Sequence, residues 1–311
     1  MNENTNNIAG VIPAAVTPFT EQGPPDLQAF QQHLKTLALE GCHGALIMGT
    51  TGEGPSLGMT EREALLEAAL ALEGRHPILV GTGTPSLTDT IALTQKAYRL
   101  GAKAAVIVPP YYYRNVTTAG LLEYFRRILD DAVPNGQTLL LYHIPHVTGV
   151  SIRFDLLEAL LTASTGRTLG IKDSSGDLEH VQSLCRRFPD LHVFVGTDRL
   201  LLAGLEAGAR GCITAGANVL ASLAVRTHQA YTQGKIDEAH RVQDQLTKAR
   251  SVLERYQPFA ASLKALLAIR YGNSSWTPRV PLQPLQSDDL ASLVQDLGGL
   301  QLEDELDWIE G

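Results

Sequence analysis

Residues 169–177 read LGIKDSSGD, and the lysine in that run is out of character with its neighbours. Leu169, Gly170 and Ile171 have the composition of a buried strand end, and Lys172 follows before any turn residue. An ammonium group is costly to dehydrate and is rarely buried unless it is paired or used in chemistry. Two uses fit. One is a structural ion pair with Asp173 or Asp198. The other is a nucleophile, because a dry setting favours the neutral amine, which attacks a carbonyl carbon to form an imine. Two other stretches bear on the choice. TLLLYHIP (138–145) carries Tyr142, whose phenol can move protons while an imine forms and while a carbon–carbon bond is made or broken; an aromatic there can also simply cap a core. GALIMGTTGEG (44–54) carries Thr50 and Thr51, two hydroxyls with adjacent backbone N–H groups that suit a carboxylate, or that merely make a turn. Taken together, an amine, a phenol and a carboxylate cradle point to a 2-keto acid held as an imine.

The surrounding pattern says how these residues could meet. Short apolar runs recur at 10–19, 44–54, 77–84, 104–113, 138–145, 167–176, 191–198 and 211–218. Each is apolar on both alternating faces, as in a parallel sheet buried on both sides. Helical patterns lie between them. TEREALLEAALALEG (60–74) suggests a capping box from Thr60 to Glu63 and a closing glycine, and TDTIALTQKAYRLGA (88–102) repeats the design. Eight such units predict an α/β fold, a (β/α)8 TIM barrel over residues 9–225, rather than an open doubly wound sheet. Residues 1–8 read as a loose tail. Helical patterns at 221–233, 235–256, 259–271 and 287–297 exceed what a barrel needs, so residues 226–311 are expected to form a C-terminal helical extension packed on it. The C-terminal strand ends form the active face of such a barrel. Lys103 begins a strand, Lys264 lies in a C-terminal helix, and Lys35, Lys96, Lys235 and Lys248 lie in amphipathic helices. Lys172 alone stands at the functional end of a strand.

Composition narrows the function classes. The chain has 311 residues, 44% hydrophobic and 19% charged, with a net charge of −8. This suits a globular protein and makes nucleic acid and anionic membrane poor partners. No apolar run approaches the ~18–20 residues of a membrane span, and the N-terminus lacks a signal-peptide pattern. Cys42, Cys185 and Cys212 are widely spaced, as expected of reduced cytoplasmic thiols rather than a disulfide framework or zinc site. The Gly-rich GTGTPS (81–86) fits neither the dinucleotide fingerprint nor the P-loop. No cluster of His, Asp and Glu with ligand spacing is expected at the strand ends.

The ordered motifs GTTGEG (49–54), PPYYYR (109–114), LLYHIPHVTG (140–149), GIKDSSGD (170–177) and FVGTD (194–198) resemble the dihydrodipicolinate synthase / N-acetylneuraminate lyase family of class I pyruvate aldolases. The likeness runs from about residue 9 into the C-terminal helices. It implies Lys172 as the Schiff-base lysine and Tyr142 as the proton-shuttling tyrosine, with Thr50 and Thr51 as hydroxyl relay and pyruvate carboxylate site. It implies Tyr112 as a tyrosine inserted into a neighbouring subunit's site, and Gly196 and Ile213 as backbone lining the lysine pocket. It further implies a homotetramer built as a dimer of dimers, pyruvate and an aldehyde as substrates, and no cofactor or metal beyond the lysine–pyruvate imine.

The chain departs from dihydrodipicolinate synthases at Val147, where those enzymes carry an arginine that binds the aldehyde's carboxylate. A valine cannot supply that fork; His146 is its polar neighbour. Gly54 stands where a serine is frequent, and His143 where an asparagine is usual. GTTGEGPSL, PPYYYR and YHIPHVTG look more like the 2-keto-3-deoxygluconate aldolase branch, whose aldehyde is neutral and polyhydroxylated. Thr148 and Ser174 are the expected hydroxyl-binding groups. Condensation with aspartate semialdehyde, a related keto-acid dehydration and a non-catalytic keto-acid sensor are the alternatives.

Overall fold

The computed structural model describes residues 8–300, apart from Gln22 and Arg75, and residue 302. The chain alternates strand and helix eight times: β1 (Gly10–Pro13), α1 (Leu27–Leu39), β2 (Ala45–Ile47), α2 (Met59–Leu70), β3 (Ile78–Gly81), α3 (Leu87–Arg99), β4 (Ala104–Ile107), α4 (Thr118–Ala132), β5 (Thr138–His143), the single turn α5 (Pro145–Thr148), α6 (Phe154–Ala163), β6 (Thr168–Asp173), α7 (Leu178–Arg187), β7 (His192–Val195), α8 (Leu201–Glu206), β8 (Gly211–Thr214) and α9 (Ala221–Thr232). Three further helices follow: α10 (Ile236–Leu253), α11 (Phe259–Tyr271) and α12 (Ser287–Gly298).

All strand pairs are parallel, in the order β1-β8-β7-β6-β5-β4-β3-β2. A bridge between Ala14 and Leu46 joins the two ends, with the Ala15 N–H donating to the Leu46 carbonyl at 2.8 Å. The sheet is therefore the expected closed (β/α)8 barrel. The doubly apolar runs have a direct meaning here. Alternate residues enter two different cores. Ile12, Leu46, Leu79, Val106, Leu140, Phe194 and Ile213 fill the barrel, whereas Val11, Ile47, Val80, Leu139, Leu141 and Val195 pack against the helices. The strands are shorter than the runs, because pairing stops where the chain turns onto the active face.

Side-chain caps set the starts of α1, α3, α4 and α7: Asp26 accepts from the Gln28 and Ala29 N–H groups, Ser86 from Asp89, Thr117 from Gly120 and Asp177 from Glu179 and His180. The expected Thr60–Glu63 box is not formed. Helix α2 starts one residue before Thr60; extended Gly58 precedes it, and the Gly58 N–H donates to Glu61 Oε2 at 2.9 Å.

Residues 1–7 of the expected tail lie outside the described residues, whereas Ile8 is buried at the base of the barrel core. Helix α9 runs through the boundary expected at 225, and α10 packs along it. Helix α10 buries Val242, Leu246, Ala249, Val252 and Leu253, and α12 packs on α10. Among the described residues, no helix is long and apolar enough to cross a membrane.

Candidate active site

Strand parity places the lysine. Gly170 and Lys172 fall on the interior side of β6, and Leu169, Ile171 and Asp173 on the helix side. Gly170 leaves room for Leu140 and for the His192 carbonyl, which a Cβ would meet at 2.4 and 2.6 Å. Lys172 stands one step further, paired in register with Tyr142 on β5 and Phe194 on β7. It is only 3% exposed, and its Nζ lies 4.2 Å from the centre of the Tyr142 ring. The two aspartates that could have neutralised it are engaged elsewhere. Asp198 pairs with Arg250. Asp173 accepts from the Ser175 N–H, the Ser175 hydroxyl and His180 Nδ1. The amine therefore faces the barrel mouth without a carboxylate partner among these groups, which favours the chemical use over the structural one.

The Tyr142 hydroxyl ties the site together. It lies 3.4 Å from Thr50 Oγ1 and interacts with Ser174 and Lys172. Burial pushes the phenol's pKa up, but the nearby Lys172 charge and these interactions outweigh it, so the pKa falls below the ordinary 10.0. A more acidic phenol exchanges protons more readily at neutral pH.

A cavity of about 900 Å³ opens above these groups. Of the expected site residues, Lys172, Tyr142, Thr50, Thr51, Val147 and Gly196 line it. Gly196 must lack a side chain: a Cβ would sit 1.9 Å from Ser174 Oγ and 2.8 Å from the Asp173 carbonyl, and its own N–H donates to that carbonyl at 2.6 Å. Ile213 is wholly buried in the barrel core with Phe194 and Tyr142, beneath the cavity rather than on its wall. Ser174 lines the cavity as expected, but Thr148 does not. Its hydroxyl donates to the Ile144 and Val150 carbonyls and accepts from the Val150 N–H, so it closes its own turn and is 1% exposed. Tyr112 is 77% exposed in the loop after β4, with its ring edge-on to Tyr113, and it too is absent from the cavity wall. Gly54 has a local cause, since a Cβ there would meet the Met48 carbonyl at 2.2 Å.

Two groups of residues go beyond the sequence expectations. The first is the far wall, where the C-terminal helices meet the turn after β7: Arg199 of that turn and Arg250 of α10 both hold Glu254, Arg250 also holds Asp198, and the Arg250 guanidinium lies 4.2 Å from the Phe259 ring centre. Nothing local marks these residues, because only the folded chain brings α10 and α11 over the strand ends. The second is His143, Asp173 and His180, whose possible ligand atoms lie within 4.8 Å of one another on the helix side of the barrel. This corrects the expectation that no such cluster occurs at the strand ends. Its hydrogen bonds nevertheless do not suit a metal. His143 Nδ1 accepts the Ile152 N–H at 3.1 Å, so its proton sits on Nε2 and no lone pair is left for a cation. Asp173 and His180 instead form an ion pair. The bond to Asp173 raises the His180 pKa. Burial pushes the Asp173 pKa up, but the bonds from His180 and Ser175 pull it below 3.8. The pair fixes the turn that presents Ser174 to Tyr142.

Known proteins share this sequence pattern and this fold. Residues 7–299 match the model of the dihydrodipicolinate synthetase family. A DapA-like lyase of Chloroflexus aurantiacus with no characterised activity is 39% identical over 285 residues, which is 91% of this chain and 94% of the relative. The 4-hydroxy-tetrahydrodipicolinate synthase of Bacillus subtilis is 30% identical over 94% of this chain and 100% of its own. Among solved structures, YagE, a prophage protein of the dihydrodipicolinic acid synthase family from E. coli K12 crystallised with pyruvate, superposes with a TM-score of 0.89 at 28% identity, over 95% of this chain and 99% of its own. A variant of the Sulfolobus solfataricus 2-keto-3-deoxygluconate aldolase superposes with a TM-score of 0.83 at 26% identity, over 94% and 96%. The chain thus belongs to the dihydrodipicolinate synthetase family and is a carbon–carbon lyase of its aldolase class.

Proposed function

We propose that the chain catalyses a reversible aldol reaction between pyruvate and a neutral polyhydroxy aldehyde, making or cleaving a 2-keto-3-deoxy sugar acid through an imine on Lys172. The observation that carries this reading is the 3% exposed Lys172, with Asp173 and Asp198 engaged elsewhere, beside a Tyr142 whose hydroxyl reaches Thr50. In this scheme the pyruvate carboxylate rests on Thr50 and Thr51. The free amine of Lys172 attacks the keto carbon, Tyr142 protonates the departing oxygen, and water leaves. Loss of a methyl proton gives the enamine, which adds to the aldehyde carbon while the aldehyde oxygen takes up a proton. Hydrolysis of the new imine frees the lysine. The imine is the electron sink, so the scheme calls on no metal.

The far wall supports a neutral aldehyde. Its two arginines are balanced by Asp198 and Glu254, and Val147, 51% exposed, offers no donor. Ser174, Thr197 and Gln257 line the same cavity and suit hydroxyl groups. A panel assay tests the choice: pyruvate with glyceraldehyde, aspartate semialdehyde and N-acetylmannosamine. Preference for glyceraldehyde is expected. Strong preference for aspartate semialdehyde would instead support the reaction for which the Bacillus relative is named.

The proposed assembly is a homotetramer in which Tyr112, exposed here, enters a partner's site and extends the Thr50–Tyr142 relay. The three cysteines are free thiols, as a reducing compartment would keep them, and the cytoplasm is the proposed location.

A further inference from the structure

Lys264 on α11 is drier than the proposed nucleophile, at 0% exposed against 3% for Lys172. It does not line the cavity. Its Nζ meets Glu53 Oε1, donates to the Thr277 carbonyl at 3.2 Å and lies 4.2 Å from the Phe19 ring centre. We infer that the Glu53–Lys264 ion pair is a positioning device, by which the C-terminal helices hold the loop of Thr50 and Thr51 and so set how tightly the pyruvate carboxylate binds. The inference rests on the reading of that loop given under Proposed function.

The loop between β2 and α2 needs to be held. Met48 and Glu53 bracket the threonines with φ of 57° and 55°, a left-handed conformation that neither residue favours. Such a backbone persists only where its surroundings over-determine it, and the ties converge on the far end of this loop. The Gly52 carbonyl accepts from Thr17 Oγ1 at 2.7 Å. The Gly54 carbonyl accepts from the Arg62 guanidinium. Glu53 uses its two oxygens separately: Oε1 on Lys264, and Oε2 on the Arg279 backbone N–H at 2.8 Å.

An apolar pair could fill this space as well, and a buried ion pair adds little stability over one. What it adds is direction, because both carboxylate oxygens have fixed partners more than two hundred residues away in sequence. Burial depresses the Lys264 pKa to about 8, with the Arg279 charge adding to the fall and the Glu53 charge and hydrogen bond opposing it. Removing Lys264 would leave Glu53 Oε1 without its cation while Oε2 stays on the Arg279 N–H, so the carboxyl must take up a proton or turn toward water with its backbone, and either change releases the loop from α11. That backbone is two residues from Thr51.

The test uses the full chain, with borohydride trapping of pyruvate on Lys172 followed across pyruvate concentration. In Lys264→Met the half-saturating concentration should rise about 10-fold or more, the loss of one charge-assisted contact to the carboxylate. The trapping rate at saturation should change by less than about 3-fold, the pattern of lost ground-state binding. Glu53→Gln, which conserves volume, is read in parallel, so that a fold lost in one variant does not leave the question unread. Lys264→Arg, which keeps the charge, should stay nearer the parent than Lys264→Met. A purely structural role predicts a lower thermal midpoint with the parent's half-saturation, and that result overturns the inference. Absence of any Lys172 adduct in the parent would be a separate failure, of the pyruvate reading itself.

Discussion

Gly196→Ala probes the tightest contact in the site. A Cβ at this position falls 1.9 Å from Ser174 Oγ and 2.8 Å from both the Asp173 carbonyl and Ser174 Cα. Ordinary contact needs roughly 3.4 Å or more, so the backbone atoms must give about 0.6 Å and the serine hydroxyl must leave its place. Strands β6 and β7 cannot simply part, because the Gly196 N–H donates to the Asp173 carbonyl at 2.6 Å. The overpacking should cost about 1–3 kcal/mol of stability. Losing the Ser174 contact and shifting Lys172 by a fraction of an ångström should lower the turnover number about 10- to 100-fold. Thermal denaturation and steady-state kinetics at saturating pyruvate read the two effects. The double variant Gly196→Ala/Ser174→Ala separates them, since it relieves the 1.9 Å clash but not the two backbone contacts, and should regain part of the stability without regaining turnover. Parent-like kinetics in the single variant would refute the argument that the placement of Ser174 and Lys172 depends on the bare Cα of Gly196.

Tyr142→Phe removes the proton carrier and should lower turnover about 10²- to 10⁴-fold with the fold retained by circular dichroism; a loss under 5-fold would sink the assignment. Val147→Arg places a guanidinium in the cavity and should raise kcat/KM for aspartate semialdehyde relative to glyceraldehyde by about 10-fold or more; no change in that ratio would mean another group reads the aldehyde. His33 is buried between Asn218 Oδ1 (2.9 Å) and the Tyr271 hydroxyl (3.0 Å), and burial above all lowers its pKa from 6.5 to about 4. A depressed histidine adds stability that is present above 6.5 and lost as the pH falls toward 4, so this residue alone should withdraw about 3 kcal/mol over that interval. Urea midpoints across pH check the loss, and an NMR titration showing His33 protonated at pH 6 would contradict it.

The fold was legible because the runs are apolar on both faces, as strands between two cores must be, and eight of them with helices between leave few other architectures. Lys172 was readable because it ends an apolar run at the C-terminal end of its strand, and β6 then carries it on the interior side with Gly170. Strand ends were less legible, because hydrophobicity continues past the last ladder bond into the loops of the active face. The start of α2 was misread for a related reason: Thr60 and Glu63 have the right spacing, but Gly58 and Glu61 take the role, and a glycine cap leaves no side-chain signature. Thr148 looked like a hydroxyl for substrate, yet the turn after β5 consumes its bonds. Lys264 looked like one more helical lysine, and nothing near it in sequence announces Glu53 as its partner. The far-wall residues Arg250 and Glu254 were hidden in the same way, brought to Arg199 by chain return rather than by local pattern.

The central claim is that Lys172 takes pyruvate as an imine. Incubation with pyruvate and borohydride, proteolysis and mass spectrometry test it most directly. The account predicts a mass increase of one reduced pyruvate on the peptide that carries Lys172, and none after Lys172→Ala. A protein that turns over substrate yet shows no adduct, or carries it on Lys264 or another lysine, would contradict it.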